Sequence, residues 1–536
     1  MTTSDQNSFA TGVSGLIPEF SQEQIEQMAN VLFRAVPHTE PAELINYTQT
    51  AITEQADTHP RAQACATKLA EQARAFVPND DVVTIPEEAE LRQILAQLAN
   101  TSSYPRTPLN ETSGSHFYFL NDLPATADAL SVSAFDVQVV RRDFPILQER
   151  VNGKPLIWLD NAATTQKPQC VIDRLSAFYQ HENSNIHRAA HELAARATDA
   201  YEGARATVAR FLNASASEEI VFVRGATEGI NLVAQSWGRE QLSPNDEIVV
   251  TCLEHHANIV PWQQLCEMTG ARLRVAPVDD SGQVILDAYE KLLNSRTRLV
   301  AFTQVSNALG TITPARTMIE MAHRHGAQVL LDGAQSVSHL RVDVQALDCD
   351  WLVFSGHKIF GPTGIGVVYG KRELLDATQP WQGGGNMIED VTFEHTRYQA
   401  APARFEAGTG NIADAVGLAA ALDYVEKIGL EAINRYEHDL LQYATHALKV
   451  IPGLRLIGTA AEKASVLSLV LAGRTTESIG TALNKEGIAV RSGHHCAQPI
   501  LRRFGLESTV RPSLAFYNTY EEIDVLVSAL KKIQRS

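Results

Sequence analysis

The first 135 residues have helical hydrophobic spacing followed by a polar stretch. Ser21 and Gln24 match a capping box. Apolar residues then recur at intervals of three and four, at Ile25, Met28, Leu32 and Val36. Residues 101–135 contain many turn-forming residues. The pattern predicts a helical N-terminal extension over residues 1–100 and a flexible linker over residues 101–135.

From residue 136 onward, short continuous apolar runs alternate with helical stretches. The runs include EIVFV, EIVVTC, RLVAFTQV, AQVLLD and WLVFSG. Such runs are typical of strands buried on both faces, and therefore of a mostly parallel sheet covered by helices. We predict an α/β fold with a large domain over residues 136–414, whose N-terminal segment also joins the small domain. A long helix over residues 417–448 then opens a small C-terminal α+β domain over residues 415–536.

Composition and charge exclude several classes of protein. The chain has 536 residues, 44% hydrophobic and 20% charged, which is ordinary for a globular protein. Its net charge of −17 argues against binding nucleic acid or an anionic membrane, because both would repel an acidic surface. No apolar run is long enough to predict a transmembrane helix, and the polar N-terminus does not resemble a secretory signal.

The cysteines argue against a metal site or a disulfide framework. There are six, and none forms a CxxC pair; they stand at Cys65, Cys170, Cys252, Cys266, Cys349 and Cys496. We expect all except Cys496 to be small buried hydrophobic residues. Reduced thiols in a large acidic protein favour a cytoplasmic location.

Polar residues follow five of the predicted strands. The segments are Gly225-Ala226-Thr227, Glu254-His255-His256, Ser306-Asn307, Asp332-Gly333-Ala334-Gln335 and Ser355-Gly356-His357-Lys358. Alone, a glycine turn merely caps a helix, and a lysine in a glycine-rich loop is usually solvated. Because ligands collect at the carboxyl ends of strands in an open α/β sheet, five such segments predict one shared crevice.

The residue types in these segments fit pyridoxal phosphate. The aldehyde of this cofactor needs a lysine amine, for which Lys358 is suitable, and its pyridine nitrogen needs a carboxylate, for which Asp332 is suitable. Its ring face needs a planar partner such as His255. Donors for its phosphate are available at Thr227, Ser355 and His357.

Two further residues near the C-terminus suggest reaction chemistry. Cys496 lies in RSGHHCAQP, and a cysteine beside two histidines in a turn is expected to be partly exposed with a stabilised thiolate. Arg511 lies in TVRPSLAFYN, and a guanidinium can hold an amino-acid carboxylate through two hydrogen bonds. Without the rest of the pattern, a surface thiol and a surface arginine are the simpler interpretations.

Residues 136–532 closely resemble the SufS-type (group II) cysteine desulfurases, which are fold-type I pyridoxal-phosphate enzymes. The motifs are DFPILQERVNGKPLIWLDNAATTQKP, FVRGATEGINLVAQSWG, EHHANIVPWQ, DGAQSV, DVQALDCDWLVFSGHKIFGPTGIGVVYG, RFEAGTGN and RSGHHCAQP. They are long and specific. The resemblance implies that the chain converts L-cysteine to L-alanine and passes the sulfur to an acceptor protein or a small thiol.

The resemblance implies a role for individual residues. Lys358 matches the cofactor-binding lysine, Asp332 the partner of the pyridine nitrogen and His255 the ring-stacking residue. Cys496 matches the nucleophile that holds sulfur as a persulfide. The remaining cofactor-binding positions are Gln335, at the phenolic oxygen, and Thr227, Ala226, Ser355 and His357, near the phosphate. The substrate-binding positions are Arg511, Asn307 and Arg491.

The resemblance also implies a homodimer with its site near the subunit interface. Thr409, in RFEAGT, is then expected to reach the phosphate in the partner subunit. Some positions depart from the family pattern, which puts the rate of the reaction in doubt. They are Ala226 in place of threonine, Gln304 in place of histidine, Pro512 in place of alanine and Gly410 in place of proline.

Residues 1–135 lie outside the ordinary enzyme. Similar extensions occur on desulfurases packaged as cargo in encapsulin shells, so one hypothesis is that this segment loads the enzyme into such a compartment. The alternative is a helical appendage that aids dimerisation or solubility.

Rival functions remain open for the whole chain. A selenocysteine lyase or cysteine-sulfinate desulfinase has nearly the same site. An aminotransferase has no use for the cysteine in RSGHHCA, and a non-catalytic scaffold has no need of an intact set of site residues. The destination of the sulfur, with iron–sulfur cluster assembly as one possibility, does not follow from the sequence.

Overall fold

A computed structural model describes residues 135–187 and 191–536 of the chain. The predicted helical extension and most of the predicted linker lie outside the described residues. The limits proposed for the domains therefore stay predictions.

The centre of the fold is a seven-stranded sheet with strand order β4-β10-β9-β8-β7-β5-β6. Its strands are β4 (Ile220–Val223), β5 (Glu247–Thr251), β6 (Arg272–Ala276), β7 (Thr297–Thr303), β8 (Gln328–Asp332), β9 (Trp351–Ser355) and β10 (Gly366–Gly370). All neighbouring pairs are parallel except those of β10, which runs antiparallel to β4 and β9. The predicted mostly parallel sheet is confirmed.

The apolar runs form strands because both faces of this sheet are buried. In β5, Val249 belongs to one hydrophobic cluster, while Ile248 and Val250 belong to the cluster on the opposite face. Helices cover the sheet on both sides. Those of this region are α1 (Val137–Arg142), α2 (Gln169–His181), α3 (Glu192–Leu212), α4 (Ala226–Val233), α5 (Arg239–Gln241), α6 (Val260–Thr269), α7 (Leu286–Glu290), α8 (Ala315–Arg324), α9 (Val344–Leu347) and α10 (Arg372–Ala377).

The C-terminal region contains a second sheet, with strand order β13-β14-β17-β16 and only antiparallel pairs. Its strands are β13 (Leu454–Ile457), β14 (Ser468–Leu471), β16 (Arg491–Gly493) and β17 (Thr509–Arg511). The helices here are α11 (Ile412–Ile428), α12 (Leu430–Lys449), α13 (Thr476–Lys485), α14 (Gln498–Arg503) and α15 (Tyr520–Arg535). This sheet, α12, α13 and α15 share a separate hydrophobic cluster.

A segment from the beginning of the described chain joins this C-terminal region. Strand β3 (Ile157–Trp158) pairs in parallel with β15 (Ile488–Ala489). Before it, β1 (Arg150–Val151) and β2 (Lys154–Pro155) form a small hairpin. A third two-stranded sheet, β11 (Ile388–Val391) with β12 (Thr396–Tyr398), carries the fully exposed Phe393 at its tip.

Two sequence-based expectations were wrong in detail. The single long helix predicted over residues 417–448 is two helices, because Gly429 has φ of +95° and interrupts the helical backbone between α11 and α12. Of the cysteines expected to be buried, Cys349 is buried, Cys252 and Cys266 are half-buried and Cys170 is exposed, while Cys65 lies outside the described residues. Cys170 lies in the first turn of α2, on the side that faces away from the core. None of the described helices is long and apolar enough to cross a membrane.

Candidate active site

The carboxyl ends of β8 and β9 place an acid and a lysine in the interior. Asp332 is the last residue of β8, and its Oδ1 accepts a hydrogen bond from the backbone N–H of Ala334 at 2.9 Å. Lys358 ends a short 3-10 turn, Gly356–Lys358, that follows β9 directly. Since β8 and β9 are parallel neighbours, both side chains reach the same edge of the sheet.

Burial controls the ionisation of this pair. Desolvation raises the pKa of Asp332 and lowers that of Lys358, and the attraction between the two opposes both shifts. A lysine whose pKa is lowered yields its free amine more readily, as required for attack on an aldehyde. A buried carboxylate suits a protonated pyridine nitrogen. The pair therefore fits the two polar ends of pyridoxal phosphate.

The N-terminus of α4 and the end of β9 form one polar corner of the site. The Ser355 hydroxyl accepts a hydrogen bond from the backbone N–H of Ala226 at 2.9 Å. A side chain at Gly225 would come within 3.1 Å of this hydroxyl, so glycine is needed for the close approach. Thr227 lies exposed in the first turn of α4. Free amides at a helix N-terminus beside two hydroxyls can hold a phosphate.

The peptide before Lys358 is held by an unusual number of donors. The carbonyl oxygen of His357 accepts hydrogen bonds from the Thr165 N–H at 3.0 Å and from the hydroxyls of Thr164 and Thr165 at 3.0 and 3.1 Å. It also accepts from the Lys167 ammonium at 3.2 Å. Burial lowers the pKa of the His357 side chain to about 4, so this ring is neutral at neutral pH. These contacts fix the backbone from which Lys358 projects.

His255 is neutral at neutral pH. Burial, and secondarily the charge of Lys358, lower the pKa of His255 to about 3. Its Nδ1 accepts a hydrogen bond from the Ala257 N–H at 3.0 Å, which leaves the proton on Nε2. Gln335 is buried nearby in the loop after β8 and donates its amide to the Ala162 carbonyl at 2.7 Å.

Arg511, at the end of β17 in the C-terminal region, places a buried positive charge in the site. It is 2% exposed, and its Nη1 donates to the Asn307 carbonyl at 2.9 Å while its Nη2 donates to Asp160 Oδ1 at 3.2 Å. Its Nε and the Asn307 Oδ1 are buried without partners among the described residues. Burial lowers the pKa of Arg511 to about 10, so the guanidinium keeps its charge at neutral pH. A carboxylate could accept a hydrogen bond from the Arg511 Nε.

Arg491 lies beside Arg511 because the two residues are directly paired across β16 and β17. Its Nε donates to the other carboxylate oxygen of Asp160 at 3.4 Å. Unlike Arg511, it is 47% exposed at its side chain. Asp160 therefore bridges the two arginines and keeps both oriented.

Cys496 lies half-buried in a tight loop between β16 and α14. His495 and Cys496 both have φ of +53°, a left-handed conformation that costs non-glycine residues about 1 kcal/mol or more each. The Cys496 N–H donates to His494 Nδ1 at 3.1 Å, and the Cys496 carbonyl accepts from the His256 N–H at 2.7 Å. A negative charge on its sulfur would raise the pKa values of both Lys358 and Arg511. The cysteine is therefore electrostatically coupled to both of these residues.

One predicted site residue, Thr409, is not joined to the others by hydrogen bonds among the described residues. Thr409 is exposed on the segment that follows Glu406, and it makes no hydrogen bond to the other site residues in the described part of the chain. Its predicted contact with the partner subunit stays a prediction.

The sequence-based prediction assigned no role to several residues that shape the site. They are Asp160, Thr164, Thr165, Lys167 and Glu254. The first four lie in the quoted motif LDNAATTQKP and the last in EHHAN. Their roles depend on contacts with residues far away in the chain, which a motif alone does not specify.

Comparison with known proteins defines the class. A family model described as aminotransferase class-V matches residues 157–526. The fold and the site described above, together with this match, make the chain a member of that family, whose desulfurase branch depends on pyridoxal phosphate.

Similar proteins identify the group within this family to which the chain belongs. A cysteine desulfurase from Synechococcus elongatus is 67% identical over 481 residues, covering 85% of this chain and 76% of the relative. One from Salmonella agona is 52% identical over 402 residues, covering 75% of this chain and 99% of the relative. The crystal structure of the Escherichia coli cysteine desulfurase CsdA superposes with a TM-score of 0.70 at 40% identity, covering 75% of this chain and 99% of that one. Within the class-V family, the chain belongs to the cysteine desulfurases.

Proposed function

We propose that this cysteine desulfurase takes sulfur from L-cysteine, holds it as a persulfide on Cys496 and releases L-alanine. The observation that carries the proposal is the convergence of three groups in one crevice. Cys496 supplies a thiol, Lys358 an amine and Arg511 a cation, and each lies within electrostatic range of the other two.

The residues around the substrate have separate tasks. The Arg511 guanidinium binds the substrate carboxylate, with Asn307 beside it. When bound, pyridoxal phosphate supplies an electron-withdrawing ring that stabilises negative charge at the substrate Cα. Lys358 holds the cofactor at rest and then takes the Cα proton as a base. Asp332 would keep the pyridine nitrogen protonated, and neutral His255 would pack on the ring without adding charge.

Sulfur transfer is assigned to Cys496. Its thiolate attacks the sulfur of the substrate and forms a new S–S bond. The bond between the substrate Cβ and its sulfur breaks, and the electron pair stays with the carbon. That carbon then takes up a proton, and Lys358 returns a proton to Cα, so the organic product is alanine and the sulfur remains on the enzyme.

The test is L-alanine release by wild type and by Cys496→Ala in the presence of a reductant. We expect wild type to form equal amounts of alanine and sulfide, while the variant keeps the visible absorbance of its cofactor and loses turnover. Mass spectrometry of the wild type without reductant should find one additional sulfur atom on the peptide that contains Cys496. Equal turnover by the variant would rule out Cys496 as the acceptor.

We further infer that the enzyme is of the SufS-type (group II) and passes its sulfur to an acceptor protein or a small thiol. The half-exposed position of Cys496 supports transfer to an external thiol. Supply of sulfur for iron–sulfur cluster assembly is one use of such a product. A selenocysteine lyase or cysteine-sulfinate desulfinase is the alternative. Comparing kcat/KM for the three substrates, each with and without Cys496, separates these functions.

A homodimer in the cytoplasm is proposed as the working form. Phe393, at the tip of the β11–β12 hairpin, is fully exposed at 108%, and Val391 is 59% exposed. A hairpin with an apolar tip is suited to contact another subunit, and the exposed Thr409 is available for a phosphate across such an interface. Sedimentation velocity of the holoenzyme should therefore give a dimer; a monomer at micromolar concentration would contradict this.

Residues 1–135 are proposed to load the enzyme into an encapsulin compartment. The support is that every residue assigned to the reaction lies between Asp160 and Arg511, which leaves the extension free for another purpose. An appendage that aids dimerisation or solubility is the alternative.

A further inference from the structure

The loop that carries Cys496 and the proposed carboxylate site are joined through one residue. The Asn307 side-chain amide donates to the His495 carbonyl at 2.7 Å, and the Asn307 carbonyl accepts from Arg511 Nη1 at 2.9 Å. We call residues 494–496 the cysteine loop. Asn307 therefore fixes the backbone of this loop relative to the guanidinium of Arg511.

A chain of hydroxyl groups fixes the His495 side chain in the same region. The Ser468 hydroxyl donates to the Ala308 carbonyl at 2.5 Å, so the Ser468 oxygen is free to accept. The Thr509 hydroxyl donates to that oxygen at 3.2 Å. The hydroxyl oxygen of Thr509 lies 2.8 Å from His495 Nε2. Because Thr509 has only one hydroxyl proton, the hydrogen bond to His495 must be donated by Nε2–H.

This assignment leaves His495 Nδ1 without a proton. The residue is 5% exposed, and Nδ1 has no partner among the described residues. Both Arg511 and Arg491 lie close enough to disfavour a positive charge on the ring, and burial lowers the pKa of His495 to about 2. The ring is therefore neutral and present as a single tautomer, and its lowered pKa makes it a weak base.

We propose that His495 is a positioning residue, which holds the Cys496 thiol in register with Arg511 through its hydrogen bond to Thr509. Thr509 lies on β17 two residues before Arg511, so one strand orients both the cysteine loop and the carboxylate site. The bond also stabilises the left-handed backbone conformation of His495 and Cys496. This conformation is unfavourable for residues other than glycine, so without the bond the loop would relax out of it. The inference rests on the proposed role of Cys496 as sulfur acceptor.

Thr509→Val in the holoenzyme tests the inference, because it removes the hydroxyl and keeps the shape of the side chain. We expect kcat to fall about fivefold, the effect of one lost buried hydrogen bond, with little change in KM for L-cysteine. Alkylation of Cys496 by iodoacetamide should become at least about threefold faster, since a released loop exposes its thiol. A change that only destabilises the fold would not lower turnover while raising the reactivity of this one thiol.

Two variants serve as controls. Thr476→Val removes another buried threonine hydroxyl of the same region, which lies 2.8 Å from Ser508 Oγ, and we expect wild-type kcat and alkylation rate. Thr509→Ser keeps the hydroxyl and should restore both values. The inference is overturned if either kcat or the alkylation rate of Thr509→Val equals that of Thr476→Val. Cys496→Ala separates the two proposals, because retained turnover in that variant contradicts the proposed function itself.

Discussion

At the scale of the single residue, Arg511 shows how burial makes a charged side chain specific. The guanidinium is almost fully enclosed, yet two of its nitrogens are satisfied by Asn307 and Asp160. The planar fork of arginine reaches these two fixed acceptors and keeps Nε for a ligand. A lysine ammonium has no such fork.

Arg511→Lys should therefore raise KM for L-cysteine at least about tenfold, which corresponds to about 1.4 kcal/mol, and lower kcat less. Steady-state alanine release over a range of cysteine concentrations measures both constants. Arg502→Lys is the matched control, because Arg502 is exposed and pairs with Glu507 at the surface. An unchanged KM in Arg511→Lys would contradict the assignment of the carboxylate site.

Glu254 is a buried acid directly before His255 in the chain. It is fully enclosed, and its oxygens accept hydrogen bonds from the Thr251 hydroxyl at 2.5 Å and the Asn258 amide at 2.6 Å. Burial raises its pKa to about 8. Between pH 4.5 and 8 the folded protein thus keeps a proton that the unfolded chain has lost, so rising pH lowers the free energy of unfolding across this window.

Glu254→Gln should remove this decrease in the free energy of unfolding with rising pH, because the amide stays neutral. The Thr251 hydroxyl can rotate to accept a hydrogen bond from the amide. We expect the free energy of unfolding of wild type to fall by on the order of 3 kcal/mol between pH 5 and pH 8, and that of the variant to fall clearly less. The midpoint of urea unfolding of the holoenzyme across this range measures the effect. Glu192→Gln, at an exposed glutamate, should follow wild type. Parallel pH curves for Glu254→Gln and wild type would show that Glu254 does not titrate in this window.

At the scale of the element, a buried ion pair anchors the segment that carries Thr409. Arg205 on α3 donates to both carboxylate oxygens of Glu406, at 2.7 and 3.0 Å. Glu406 also accepts from the Phe222 N–H on β4 at 2.8 Å and from the Tyr201 hydroxyl at 3.0 Å. The segment after Glu406 is thereby attached to both α3 and the edge of the sheet.

Glu406→Gln should destabilise the protein by about 3 kcal/mol, because Arg205 would keep its buried charge while losing its main partner. Asp423→Asn is the control, since the Arg210–Asp423 pair is exposed and its loss should cost less than about 1 kcal/mol. Thermal unfolding of both holoenzymes gives the comparison. Equal melting temperatures for the two variants would mean that Glu406 is not an anchor.

At the scale of the whole molecule, the proposed chemistry and the proposed packaging belong to different parts of the chain. Removal of residues 1–134 should leave kcat and KM within about twofold of wild type, because the described site lies wholly in later residues. The same deletion should abolish co-purification with an encapsulin shell protein on co-expression. Unchanged packaging of the truncated enzyme would exclude targeting by the extension and leave the appendage hypothesis.

The sequence by itself determined the class of fold and most of the chemical groups. Continuous apolar runs can be satisfied only where both faces of a strand are buried, so the parallel sheet follows from local pattern. Polar residues after those runs must then meet at one edge of the sheet, which made Lys358 and Asp332 predictable as a pair. Their residue types were sufficient to indicate the cofactor.

Only the tertiary structure decided how these groups are held. Asp160 lies between Arg491 and Arg511 although more than 300 positions separate it from either in the chain, and the role of Glu406 depends on Arg205, 201 residues earlier. Likewise, the tautomer of His495 follows from its contact with Thr509, and its carbonyl accepts a hydrogen bond from Asn307. Hydropathy and motif spacing report local preference and residue type. Burial, ionisation and hydrogen-bond direction are set by neighbours that meet only when the chain has folded.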